Sequence, residues 1–269
     1  MDQPLLTRDR SPLPTHVDGL RAHVGEDGVA VLKFTRPARR NAITLAIWQA
    51  LPEVLLRIAE QPGVRALLVT GAGGTFSAGA DIAELSEVYA DPDHADAYHA
   101  SNVAAEEALA DFPHPTIAVV HGACVGGGCQ LAVACDLRWV ADDARMGITP
   151  AKLGVVYPAV PTLRLARLVG PSRAKLLLFS GELLTGVRAS AIGLADLVLP
   201  AADLDADALE FARLLTRRSP QTIGAVKAAL GCAPEEAAAA LRPWEIRSRE
   251  APDVREGLAA FLEGRPPRF

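Results

Sequence analysis

A strong charge of one sign, a disulfide complement and a membrane-length apolar run are all missing from this chain of 269 residues. Lys and Arg number 27 against 32 Asp and Glu, a net charge of -5, so broad attraction to nucleic acid or to an anionic membrane surface is not expected. Arg, Asp, Lys or Gly-rich turns interrupt every apolar stretch before it reaches the roughly 20 residues that a spanning helix needs. Residues 1–20 carry Asp2, Asp9, Asp18 and three prolines without an apolar segment, so no secretory leader is read there. Residues 1–19 are expected to be a disordered tail, and the protein to be cytoplasmic. Four cysteines are too few for a disulfide framework. Three of them, Cys124, Cys129 and Cys135, lie close together near His121, but their gaps of four and five residues miss the short-turn pairing of zinc ligands. Buried thiols are the expectation, and no metal.

What is present is apolar substance: 50% of residues are hydrophobic, 22% are charged and the mean hydropathy is +0.18. That composition builds a sizeable core, in one large domain or in a core with a helical appendage. From Leu20 to Phe34 an apolar stretch, the turn Gly25-Glu26-Asp27-Gly28 and a second apolar stretch read as a hairpin. Thr44 can cap a helix running towards Glu60, with Pro52 inside it, and Val64 to Thr70 is a buried strand. Ile82 to Tyr89 reads as a short helix, Asp91 to Asp96 as an acidic loop and Ala95 to Phe112 as an Ala-rich helix. A strand over Pro115 to Val120, a helix ending near Cys135 and a strand over Asp136 to Ala141 follow. After Pro171 helices dominate, and Leu204, Ala208, Phe211, Ala212 and Leu215 share one face of a helix over Asp203 to Thr216. Strand and helix alternate, so the body is α/β.

Two Gly-rich loops, Gly71 to Asp81 and Gly122 to Gly128, each follow a strand and precede a helix. Glycine lets backbone N–H groups approach a ligand closely, and a helix start adds unsatisfied donors. Two such loops could aim one N–H each at a single oxygen; tight turns between packed elements are the plainer alternative. Neither loop ends in the Lys-Ser/Thr of a nucleotide-binding P-loop, which sets ATP or GTP aside.

The stretch Ser77-Ala78-Gly79-Ala80-Asp81-Ile82, the segment from His114 to Asp136 with Gly126-Gly127-Gly128-Cys129-Gln130, and Leu153-Gly154 resemble the enoyl-CoA hydratase/isomerase (crotonase) superfamily. The resemblance runs from about Leu20 to Phe269 and includes Phe261-Leu262-Glu263-Gly264-Arg265-Pro266-Pro267. It implies a crotonase-like spiral of β-β-α units over residues 20–200 and a C-terminal helical trimerisation region over 201–269, giving a homotrimer or a dimer of trimers. It implies an acyl-CoA substrate, with coenzyme A entering as part of that substrate and no separate cofactor. By position, the backbone N–H groups of Ala80 and Gly127 would form an oxyanion hole for the thioester carbonyl. Arg36, Arg39, Arg40, Ala78 and Arg265 would contact coenzyme A, although Gly264 stands where relatives commonly carry Lys.

The chain departs from the family where hydratases place two glutamates, which here align with Gln130 and Pro150. A glutamine amide is no carboxylate base, and proline offers no side-chain acid or base. An enolate formed by CO2 loss needs neither. Thr149-Pro150 and Leu153-Gly154-Val155-Val156-Tyr157 are similar to methylmalonyl-CoA decarboxylases of the superfamily, so decarboxylation or another C–C lyase reaction is the first expectation. Tyr157 would then orient the departing carboxylate or protonate the enolate, helped by Thr149 and Gln130. The alternatives are an enoyl-CoA hydratase/isomerase that uses another carboxylate, with Asp81 and Glu84 the candidates, and a non-catalytic acyl-CoA-binding subunit. Asp81 also suits a helix cap and Glu84 a solvated face; His94 and His99 read as solvated, His121 as structural.

Overall fold

Residues 10–269 are described by the computed structural model. Strands β1 (Arg10–Leu13), β2 (Leu20–Gly25) and β3 (Val29–Phe34) form an antiparallel meander. The expected hairpin closes at Gly28, whose N–H donates to Gly25 O over 3.1 Å. Residues 10–13 pair with β2 instead of belonging to a tail, because strand addition satisfies backbone groups that the polar side chains cannot. The rest of the tail expectation, residues 1–9, lies outside the described residues.

From β3 onward the sheet turns parallel. Helix α1 (Leu45–Ala59) starts where Thr44 Oγ1 accepts the Ile47 N–H at 3.3 Å and leads to β4 (Ala66–Gly71), parallel to β3. Its buried face is Ile47, Trp48, Leu51, Val54, Leu55 and Ile58, spaced three and four apart as one side of a helix is. All six residues of β3 and all six of β4 are buried, as parallel strands covered on both faces require. Helices α2 (Ile82–Val88) and α3 (Pro92–Ala110) precede β5 (Thr116–Val120). The acidic segment around Asp91 is no loop. Asp91 Oδ1 accepts the Asp93 N–H at 2.9 Å and Pro92 opens α3, so capping, proline's fixed φ and acidic side chains at the positive end of the helix dipole make this stretch a helix start.

Next come β6 (Ala123–Val125), α4 (Gly127–Ala134), β7 (Leu137–Ala141) and β8 (Arg145–Gly147). Helices α5 (Ala159–Val169) and α6 (Pro171–Ser180), strand β9 (Leu184–Thr185), helix α7 (Gly186–Ala191) and strand β10 (Leu197–Leu199) complete the body. The larger sheet runs β1-β2-β3-β4-β5-β7-β10, and a smaller one, β6-β8-β9, sits beside it. Four helices close the chain: α8 (Ala201–Thr216), α9 (Pro220–Gly231), α10 (Ala237–Ser248) and α11 (Pro252–Glu263). Leu204, Ala208, Leu209 and Ala212 of α8 join the hydrophobic core, so in packing terms the body extends to α8 and the break falls after it. Helices α9 and α10 bury none of their residues and α11 buries only Ala260. No described helix is long and apolar enough to cross a membrane.

Candidate active site

The first Gly-rich loop is stitched to its neighbours by its own backbone. Phe76 N donates to His121 O, Ser77 N to Ala123 O, Ala78 N to Arg40 O and Asp81 N to Ile43 O, all within 3.0 Å. Ser77 Oγ donates to Asn41 O at 2.8 Å and accepts the Gly79 N–H at 3.1 Å. Between these satisfied donors the N–H of Ala80 has no partner among the described residues. Glycine is required at Gly79: its φ is +91°, and a Cβ there would lie 2.7 Å from Val125 O and 3.3 Å from Gly127 N. The two loops therefore touch.

The second loop turns at Gly126, whose φ of 57° and ψ of -126° are open to glycine and not to ordinary residues. It launches α4, so the N–H of Gly127 has no intrahelical acceptor. Ala80 and Gly127 line one cavity of about 90 Å³. Two free donors from two loops converge on it, the arrangement that stabilises a developing oxyanion.

Ala78, Gln130, Thr149 and Tyr157 also line this cavity, so the structure brings those expected residues together. Gln130 is 7% exposed on the first turn of α4. The hydroxyl of half-buried Tyr157 stands 3.3 Å from where a Cβ on Gly126 would sit, above the start of α4. Burial first, and then the charge of Glu106, push its phenol above the ordinary range. Pro150 is buried outside the lining.

Asp81 and Glu84 do not line the cavity. Asp81 Oδ1 caps α2 through Ala83 N, and its Oδ2 pairs with Arg36 Nη1 at 2.9 Å. Glu84 Oε2 accepts the Leu45 N–H at 2.8 Å, so it holds the start of α1. Arg36, also bonded to Ala42 O at 2.7 Å, braces the loop, while Arg39 and Arg40 are exposed. Arg265 is taken by Glu256, at 2.7 and 3.0 Å, and by Glu263 at 2.6 Å. His94 is exposed beside Asp91. His121 Nε2 meets Asp205 Oδ1 at 2.7 Å in the interior, a structural contact. His99 differs from its solvated expectation: its Nε2 lies 2.7 Å from Tyr89 Oη and both side chains line the cavity. The three clustered cysteines are buried; burial pushes Cys135 up to about 12 and Cys124 well above the usual thiol range.

Sequence reasoning passed over Glu106. Tyr98, Asn102 and Glu106 recur every four residues along α3 and all three face the cavity. Glu106 is 1% exposed; its Oε2 has one long contact, 3.4 Å to Arg164 Nη1, and its Oε1 has no hydrogen-bond partner. Burial pushes this carboxyl up to about 8, against the pull of Arg164 and with a smaller push from Glu107. The available signal was the polar spacing of four in an otherwise Ala-rich helix.

An α/β fold in which two Gly-rich loops open backbone donors onto one cavity has the arrangement that suits a developing oxyanion. The profile of the enoyl-CoA hydratase/isomerase family matches residues 25–269. The chain belongs to that family. It is 35% identical to the 2,3-dehydroadipyl-CoA hydratase of Escherichia coli, covering 90% of this chain and 94% of the relative. It is 33% identical to the mitochondrial methylglutaconyl-CoA hydratase of Mus musculus, covering 94% and 83% respectively. The crystal structure of an enoyl-CoA hydratase from Mycobacterium smegmatis superimposes with a TM-score of 0.85 at 29% identity, covering 94% of this chain and 99% of that one.

Proposed function

We propose that the protein is an enoyl-CoA hydratase/isomerase that holds the thioester carbonyl of an acyl-CoA between the N–H groups of Ala80 and Gly127. The observation that carries this reading is the convergence of those two unpartnered donors on one cavity. Such donors bind the enolate oxygen more tightly than the neutral carbonyl, and each contributes about 10²- to 10³-fold in rate. Decarboxylation led in the sequence because Gln130 and Pro150 left no acid or base. The cavity wall nevertheless includes the Glu106 carboxyl, and the curated relatives named above are hydratases, so hydration or isomerisation moves ahead.

In this reading Gln130, Thr149 and Tyr157 are neutral polar groups around the acyl portion, and Ala78 lies against the thioester end. Arg39 and Arg40, exposed beside the first loop, meet the phosphates of coenzyme A; Arg36 positions the loop through Asp81. Arg265 is left out of the site because Glu256 and Glu263 hold it. No cofactor beyond the coenzyme A of the substrate is invoked. A trimer or a dimer of trimers is supported by apolar side chains left in the open: Phe261 and Leu262 are each 85% exposed and Leu230 is 81% exposed.

The test is mass spectrometry of the protein incubated in D2O with crotonyl-CoA, a 3-enoyl-CoA, malonyl-CoA and methylmalonyl-CoA. Addition of water to crotonyl-CoA, or movement of the 3-enoyl double bond, is expected. Loss of CO2 from a malonyl thioester with both enoyl-CoAs unchanged would return the decarboxylase reading. Tight binding of every thioester without product would make this a binding subunit.

A further inference from the structure

We propose that Glu106, on α3, is the catalytic acid–base residue of this site, moving across the cavity the function that Gln130 and Pro150 cannot perform. The proposal rests on the acyl-CoA reading above. Of the carboxylates weighed in the sequence, Asp81 and Glu84 are committed to α2 and α1. Glu106 is the carboxylate among the described lining residues. Its Oε1 is buried without a partner, and a buried oxygen left unpaired costs about 1–3 kcal/mol unless a ligand or water meets it. A purely structural carboxylate on α3 would be expected to saturate both oxygens, and Arg164 reaches one of them only at 3.4 Å.

One ionised carboxylate suffices for either reaction of the proposed class. In hydration, Glu106 takes a proton from water as the water oxygen bonds to C3. The C2–C3 π pair moves to C1 and the carbonyl pair moves onto the oxygen held by Ala80 and Gly127. The enolate then collapses and Glu106 returns that proton to C2. In isomerisation, Glu106 takes the proton from C2 of a 3-enoyl thioester and returns it to C4 as the double bond settles between C2 and C3. Both cycles begin and end with the carboxylate ionised, and each conserves its proton.

The starting form must be ionised, whereas burial holds the carboxyl protonated up to about 8. The value of kcat/KM is therefore expected to rise tenfold per pH unit below that midpoint and to level off above it. The ionisable groups around Glu106 are Arg164 on α5 and Glu107 on α3, with Tyr89, Tyr98, His99 and Tyr157 lining the same cavity and Cys129 of α4 beside Tyr157. Arg164 is the neighbour that favours ionisation, so Arg164→Gln should move the midpoint upward.

The experiment compares wild type, Glu106→Gln and Arg164→Gln in turnover of crotonyl-CoA and a 3-enoyl-CoA across pH. It also follows solvent deuterium exchange at the α-carbon of butyryl-CoA. Glu106→Gln keeps the shape of the side chain and is expected to lower kcat by about 10²- to 10⁴-fold with little change in butyryl-CoA affinity. Exchange that depends on Glu106 while both enoyl-CoAs stay unchanged would support Glu106 and overturn the hydratase/isomerase reading. Turnover by Glu106→Gln within threefold of wild type, or the same pH midpoint in Arg164→Gln, would overturn Glu106 and leave that reading standing. Wild type with neither exchange nor turnover would overturn both.

Discussion

Asn41→Ala should be among the most damaging single changes that leave the apolar core intact. Asn41 is 1% exposed and sits at a φ of +54°, in the left-handed region. Its Oδ1 accepts the Arg36 N–H at 2.9 Å, and its Nδ2 donates to Ala72 O at 2.9 Å and to Thr75 O at 2.6 Å. One side chain thus ties the basic loop to the first Gly-rich loop. Three hydrogen bonds at about 1 kcal/mol each give about 3 kcal/mol. Alanine tolerates the left-handed backbone less well than asparagine, which adds about 1 kcal/mol. A total near 4 kcal/mol corresponds to a Tm lower by roughly 10 °C for a chain of this size. Urea unfolding at matched protein concentration, with m compared between variants, measures it directly. Asn41→Gly loses the same bonds but keeps the backbone freedom, so it should be milder than the alanine variant. A loss below about 1 kcal/mol at an unchanged m would refute the hydrogen-bond account, and a glycine variant worse than alanine would refute the strain account.

Gly127→Ala would put a Cβ 2.8 Å from Trp48 Cζ2, and because Trp48 is fully buried the start of α4 must shift; kcat should fall about 10²-fold, with thermal unfolding checking that the fold persists. Asp205→Ala removes the partner of buried His121 and should cost about 1–3 kcal/mol in urea unfolding; a neutral effect would show the contact to be dispensable. Tyr157→Phe removes a hydroxyl that stays protonated, so turnover should drop by less than about tenfold with no change in the pH midpoint. The raised pKa of Glu106 also has a stability consequence: the folded form prefers the protonated carboxyl, so its contribution is full at low pH and is lost as pH rises from the ordinary carboxylate range through about 8. Glu106→Gln should flatten that loss, and equal pH dependence of Tm in both proteins would refute it.

Local chemistry made much of the framework legible in advance. Thr44 and Asp81 cap helices because their side chains reach N–H groups two or three residues on, and the hairpin closes on a glycine already visible in its turn. The glycines of both loops mark where the backbone must turn sharply and approach another chain segment. Asp91-Pro92-Asp93 carried the same kind of local signal, and reading it as a loop gave too little weight to proline at a helix start. The resemblance singled out Ala80 and Gly127, which line one cavity, but the choice among carboxylates depended on contacts that no neighbouring residue reveals.

Sequence alone determined the α/β alternation, the family and the positions of the two donor loops, since each depends on interactions a few residues long or on a motif. Tertiary structure decided which acid faces the cavity. Residues 48, 80, 106, 127 and 157 come from five separate segments, and their meeting depends on how α1, α3 and α4 pack against one another. That packing turned Asp81 and Glu84 to helix starts, tied Arg36 to the loop and left one oxygen of Glu106 unpaired in the interior. Burial and the angle between helices set that oxygen's chemistry, and both are properties of the assembled core.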